Sequence, residues 1–144
     1  MNLTRLLILP AVAAVLQVAA PLAAAQSAAQ SLDFETYRTK VEPIFLKKRP
    51  PHARCVVCHS ANNSAFRLEA LPKGATGYTE EQSRRNFANV VNLVKPGQPT
   101  SSRLLMHPLS REAGGDLFHN GGRQFASQDD PDWNTLAHWV GGGK

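Results

Sequence analysis

The sequence Cys55-Val56-Val57-Cys58-His59 places two thiols three positions apart and an imidazole directly after the second thiol. This pattern is the attachment signature of a c-type haem. Two thiols at this spacing can add to the two vinyl groups on one edge of a porphyrin, and the following side chain then lies under the iron. The motif therefore predicts one covalently bound haem c, held by Cys55 and Cys58, with His59 as the proximal iron ligand.

Three other interpretations of the motif stay open from the residues alone. Two cysteines can form a disulfide in an oxidising compartment. A thioredoxin-like redox pair needs its cysteines after a strand, whereas here the preceding residues 50–52 read Pro-Pro-His. A zinc site needs further ligands, for which His107 or His119 could serve. The haem interpretation is favoured because the histidine follows the second cysteine directly.

Residues 1–25 have the composition of an export signal. Arg5 is their only charged residue, and 6–25 form an uncharged run rich in Ala and Leu that ends in three alanines. These features predict a secretory signal peptide over 1–25, with cleavage after Ala25 or, as a second choice, after Ala29. The alternative is an uncleaved anchor, because about 20 apolar residues can span a bilayer. Export to the periplasm, or otherwise out of the cytoplasm, supports haem c, which is attached after the chain crosses the membrane.

Composition limits the classes of partner. The chain has 144 residues, of which 42% are hydrophobic and 19% charged, so it is too apolar for a disordered chain. Its net charge of +5 falls by one if Arg5 is removed with the signal peptide. The basic residues are scattered apart from 47–49 and 84–85, which argues against nucleic-acid binding. These two clusters are expected to be solvated or to meet an acidic redox protein.

Residues 26–144 are expected to form one all-α domain of three to four helices with long loops. Ser31 or Asp33 can cap a first helix that runs to about Lys48, with a kink at Pro43. A second helix is expected from a capping box at 79–82, a short one over 101–106, and a last one from Asp130-Pro131 to Gly141. Because such a domain has a thin core, a bound group is expected to fill it.

Several stretches resemble bacterial single-haem cytochrome c domains of the planctomycete-type group. The sequence Val-Glu-Pro-Ile-Phe at 41–45, followed by the motif at 55–59, resembles the opening of those domains. The stretches 96–105 and 132–141 resemble their Pro-Gly segment with its Ser-x-Leu-Leu helix and their final Trp-containing helix, so the likeness covers most of 34–141. The resemblance implies a small cytochrome c-like fold wrapped around one haem, and electron transfer as the function.

One departure from that group concerns the distal iron ligand. The group usually carries a Met-Pro-Pro element before the last helix, but here the loop 118–123 contains no methionine. His119 lies in this loop beside Gly121-Gly122, so it is the first candidate for the distal ligand. Met106 and His107 are weaker candidates. His138 and the more remote His52 complete the set, and an open five-coordinate iron is a further alternative.

The expected function is single-electron transfer between redox partner proteins of the cell envelope. A haem enzyme or ligand sensor with an open distal position, peroxidase-like or gas-binding, is the alternative. Since no further catalytic constellation is evident, an electron carrier is favoured over an enzyme. Aromatic residues expected to wall the haem are Phe118, Phe125, Trp133 and Trp139. Arg103, Arg111 and Arg123 could pair with the haem propionates, although a solvated arginine is the ordinary alternative for each.

Overall fold

The computed structural model describes residues 32–61 and 64–144, so the predicted signal peptide lies outside the described residues. Within these two ranges the chain forms helices and loops but no β-strand. Its only bridge-type pairings there are isolated ones, between Arg49 and His52 and between Leu109 and Phe125. The all-α class predicted from the sequence is therefore confirmed.

The helices are short and follow each other in chain order. Their bounds are Phe34–Thr36 (α1), Glu42–Leu46 (α2), Cys55–His59 (α3), Glu80–Val90 (α4), Arg103–Met106 (α5) and Pro131–Val140 (α6). A π-helix, Tyr37–Val41, joins α1 to α2, and single 3₁₀ turns lie at Val91–Leu93, Pro99–Ser101 and Arg111–Ala113. The described residues between α3 and α4, 60–61 and 64–79, form loops, and the segment between α5 and α6 is a long loop that contains the 3₁₀ turn Arg111–Ala113.

The predicted helix starts are confirmed by their caps. The Asp33 carboxylate accepts a hydrogen bond from the backbone N–H of Thr36 at 2.7 Å. Thr79 and Gln82 form both bonds of a capping box at the start of α4. Asp130 accepts hydrogen bonds from two backbone N–H groups in the first turn of α6. The first helical stretch ends at Leu46 rather than near Lys48, and a π-helix precedes the expected kink at Pro43.

The core forms where the first and last helical segments meet. Trp139 and Tyr37 are fully buried, with ring centres 5.6 Å apart. The indole N–H of Trp139 donates to the backbone carbonyl of Asp33 at 2.9 Å. Phe87 from α4 adds its ring 5.2 Å from that of Tyr37. These aromatic contacts bury apolar surface and hold the π-helix, α4 and α6 together.

A buried carboxylate links α2 to α4. Glu42 is only 4% exposed, and its two oxygens accept hydrogen bonds from Ser83 at 2.5 Å, Asn86 at 3.0 Å and Tyr37 at 3.3 Å. A buried charge is tolerated when such donors replace its hydration. This network fixes the position of α2. Ile44 and Phe45 of α2 line a cavity next to the motif at 55–59.

An arginine joins the segment before α3 to the end of the last long loop. Arg49 forms ion pairs with Asp130 and Asp132, and its guanidinium lies 4.8 Å from the centre of the Phe125 ring. It also donates to the backbone carbonyl of Gln124 at 3.3 Å. These contacts hold both chain segments at one side of the cavity.

In the part of the chain that the structure describes, no helix has the length and apolarity needed to cross a bilayer.

Candidate functional site

The loops and short helices enclose a cavity of about 330 Å³. This volume is within the range of about 300–1,000 Å³ that small-molecule and cofactor sites have. Its walls include Cys55, Cys58 and His59 from α3, Phe66 from the next loop, Leu104 from α5, and His107, Phe118, His119 and Phe125 from the loop before α6. The cavity thus brings together the Cys-x-x-Cys-His motif at 55–59 and the loop 118–123, which was expected to carry the distal ligand.

Helical geometry explains why the motif presents three side chains to the cavity. Residues three and four positions apart lie on the same face of a helix. Cys55, Cys58 and His59 have this spacing within the single turn of α3, and all three line the cavity. Val57 lies on the other side of the turn and is 52% exposed. The predicted attachment and proximal residues therefore share one wall.

The His59 ring is held by the loop that follows it. Its Nδ1 lies 2.8 Å from the backbone carbonyl oxygen of Phe66 and 2.9 Å from Oγ of Ser64. An Nδ1–H that donates to a carbonyl leaves Nε2 free, as is usual for histidines that bind metals. Burial lowers the pKa of His59, which favours the neutral imidazole that acts as a ligand.

His119 is held in the same way on the other loop. Its Nδ1 donates to the backbone carbonyl of Gly122 at 2.6 Å, and the ring is half-buried. Burial, followed by the nearby imidazoles of His107 and His59, lowers its pKa and favours the neutral form. Among the described residues, the hydrogen bond of the His119 ring is made by Nδ1, and no side chain there bonds to Nε2.

The two held imidazoles have the separation of a pair that shares one metal. Their ring centres lie 6.3 Å apart, with 32° between the ring planes. Imidazoles that bind one metal from opposite sides, each at about 2.0–2.1 Å, have ring centres about 6 Å apart. His59 and His119 line one cavity with their Nδ1 atoms bound elsewhere, so the residues fit an iron between them.

The other distal candidates are placed less favourably, except for His107. His107 lines the cavity, and its ring centre is 5.0 Å from that of His119. Met106 packs partly buried against the core and is not among the residues that line the cavity. His138 is exposed on α6. His52 is not on the cavity wall but lies beside Gly122.

The two thiols have properties that bear on the alternative interpretations. Burial raises the pKa of Cys55 to about 11, so its thiol is protonated at neutral pH. A thioredoxin-like pair instead needs a thiol whose pKa is lowered. The cysteines are not bonded to each other. The described residues also contain no group of three or more His, Cys, Asp or Glu arranged to hold a metal ion, so the ligands of a zinc site are not assembled there.

Two of the four aromatic residues expected on the cavity wall line it, and the other two do not. Phe118 and Phe125 line the cavity, but Trp133 and Trp139 are buried in the core, so the expectation for the tryptophans is wrong. They face inward because α6 packs its apolar side on Tyr37 and its neighbours.

Of the three arginines expected to pair with the haem propionates, one lines the cavity. Arg103 lines the cavity, whereas Arg111 and Arg123 do not. Arg123 instead donates to the backbone carbonyls of His107, at 2.8 Å, and Asp116.

Gln124, which the sequence did not single out, lines the cavity with a buried Oε1 that has no hydrogen-bond partner in the described part of the chain. A bound group or a water molecule could donate the missing hydrogen bond to this buried acceptor.

The residues that orient the two imidazoles were not predicted. The Phe66 and Gly122 carbonyls act through backbone position, for which the sequence carries no residue-type signal, and the Ser64 hydroxyl was not singled out. Comparisons of the chain with models of protein families, with curated proteins and with solved structures found no match.

Proposed function

We propose that the protein is an exported c-type cytochrome with one covalent haem, and that it carries single electrons between redox proteins of the cell envelope. One observation carries this proposal: Cys55, Cys58, His59 and His119 line the same cavity. The ring centres of His59 and His119 lie 6.3 Å apart. A bound haem would supply the one-electron ferric–ferrous couple. The signal sequence expected over 1–25 supports export.

The chain's own residues have separable tasks in this proposal. Cys55 and Cys58 would hold the haem as thioethers, and His59 and His119 would supply the two imidazole ligands of its iron. Ile44, Phe45 and Leu104 are buried side chains on the cavity wall that exclude water from the apolar ring. Two axial imidazoles favour a lower reduction potential than a His/Met pair, since a methionine ligand raises it.

Covalent attachment is tested on the exported protein by acid–acetone extraction and a pyridine haemochrome spectrum. The haem should stay with the chain, and the spectrum should be that of a haem with both vinyl groups saturated. Cys55→Ser with Cys58→Ser should lose covalent haem, while Val57→Ala on the same turn should keep it. Haem that passes into the solvent from the unmodified protein would contradict the proposal.

The axial pair is tested by the optical spectrum. The unmodified ferric protein should be low-spin, without the long-wavelength absorption band that marks ligation of the iron by a methionine sulfur. His119→Ala should give high-spin iron that binds added imidazole or cyanide quickly, and Met106→Leu should leave the spectrum unchanged. High-spin iron in the unmodified protein would instead favour the ligand-binding enzyme or sensor, and the sulfur band would favour Met106.

A further inference from the structure

The distal wall of the cavity carries a second imidazole beside the proposed ligand. His107 and His119 both line the cavity, and their ring centres are 5.0 Å apart. The ring planes are almost perpendicular, at 83°, so the edge of one ring meets the face of the other. Such a contact restricts rotation of the touching ring about its own side-chain bonds.

His107 is itself held at both its side chain and its backbone. Its Nδ1 lies 2.9 Å from a carboxylate oxygen of Asp116. The guanidinium of Arg123 donates to the backbone carbonyls of both His107 and Asp116. The N–H of Asp116 donates in turn to the carbonyl of Met106 at 3.0 Å. The His107 ring is therefore a fixed support and not a loose surface group.

His119 has few other restraints on its ring plane. The hydrogen bond to the Gly122 carbonyl fixes the direction of Nδ1. The neighbouring loop residues Phe118 and Asn120 are exposed, and Gly121 has no side chain. Among the described residues the His119 ring contacts two other rings, His107 at 5.0 Å and His59 at 6.3 Å, and the nearer, edge-to-face contact with His107 limits how the His119 ring can tilt.

We propose that His107 is a positioning residue that fixes the plane of the distal imidazole relative to that of His59. This inference rests on the proposed function, because it concerns His119 as an axial ligand. Partners outside the ligand set commonly orient metal-bound histidines. If His107 keeps the two rings at the 32° found between their planes, this angle would not change when the iron gains or loses an electron.

The test is electron paramagnetic resonance of the ferric, haem-loaded protein at low temperature. When two imidazoles bind low-spin iron, the principal g values depend on the angle between the ring planes. His107→Ala should keep the low-spin optical spectrum but shift and broaden the g values. Asp116→Ala, which frees the His107 ring without removing it, should change them in the same direction. His107→Phe should restore a narrow signal, since it keeps an aromatic edge.

His138→Ala is the matched control, because it removes an exposed histidine outside the cavity. The g shift in His107→Ala should exceed any difference between this control and the unmodified protein. Unchanged g values in both His107→Ala and Asp116→Ala would overturn the inference. High-spin iron in a folded His107→Ala protein would also overturn it, since His107 would then be the ligand. An unmodified protein without haem, or with a sulfur ligand, would instead refute the proposed function.

Discussion

At the scale of single residues, the backbone at Gly122 controls the orientation of His119. Its carbonyl accepts the Nδ1 hydrogen bond, and its φ of +80° lies in the left-handed region. A Cβ added there would lie 2.5 Å from Nδ1 of His52. The His52 side chain could move to relieve this contact, but the unfavourable φ would remain. Gly121 lacks both restrictions, since a Cβ there would meet the His119 ring at an ordinary 3.5 Å.

Gly122→Ala should therefore destabilise the folded protein by about 1–3 kcal/mol, the usual cost of a strained backbone conformation. It should also displace the carbonyl that holds His119, so a high-spin fraction should appear in the ferric spectrum. Urea unfolding and the optical spectrum measure the two effects. Gly121→Ala is the control and should change both much less. Equal behaviour of the two variants would mean that the Gly122 backbone does not orient the ligand.

At the scale of elements, Asp130 caps α6 and also pairs with Arg49. Burial alone would raise the pKa of Asp130, but hydrogen bonds from Arg49 and from backbone N–H groups of α6 outweigh it, and the pKa is lowered. A carboxyl whose pKa is lower in the folded state stabilises the fold at pH values above its unfolded pKa. That contribution is lost as the pH falls through the folded pKa, which lies below the ordinary value of 3.8.

Asp130→Asn should keep an oxygen for the cap but lose the charge that pairs with Arg49. We expect it to lower the free energy of unfolding by about 1.5–3 kcal/mol at neutral pH, the range for hydrogen bonds to charged groups. The difference from the unmodified protein should shrink as the pH falls below about 4. Urea unfolding across this pH range tests it, with the exposed Asp129→Asn as control. A difference that does not depend on pH would rule out the ion pair as its source.

At the scale of the whole molecule, the hydrophobic core and the cavity share their walls. Four buried residues also line the cavity: Ile44, Phe45, Leu104 and Phe125. A domain of this size with long loops buries little apolar surface by itself. A ligand that binds only the folded state raises its stability. The bound group should therefore complete the core as well as carry the chemistry.

Cys55→Ala with Cys58→Ala, which removes covalent attachment, should lower the free energy of unfolding by about 3 kcal/mol or more once the haem is extracted. Urea unfolding followed by circular dichroism gives the difference, and amide hydrogen exchange should show the loss of protection around 103–125. Val57→Ala, on the exposed side of the same turn, should change stability little. A haem-free variant as stable as the loaded protein would show that the core does not depend on the group.

The sequence by itself determined the features that depend on interactions between near neighbours. The caps at Thr79 and Asp130 involve partners two or three residues away, so residue type and spacing were enough to predict them. The all-α class was predictable for the same reason. At the first helix the sequence left Ser31 and Asp33 as alternatives, and the structure shows Asp33 as the cap. The spacing of Cys55, Cys58 and His59 identified the motif, but the helical turn that puts all three on one face was not predicted.

Only the tertiary structure decided which distant residues meet. It brought His119 to within a ring separation of 6.3 Å of His59, sixty positions earlier, and directed Met106 and both tryptophans toward the core. It also selected the Phe66 and Gly122 carbonyls as partners of the two imidazoles. Such contacts depend on how helices and loops pack against one another. A carbonyl is present at every residue, so the sequence does not distinguish the one that will hold a ligand.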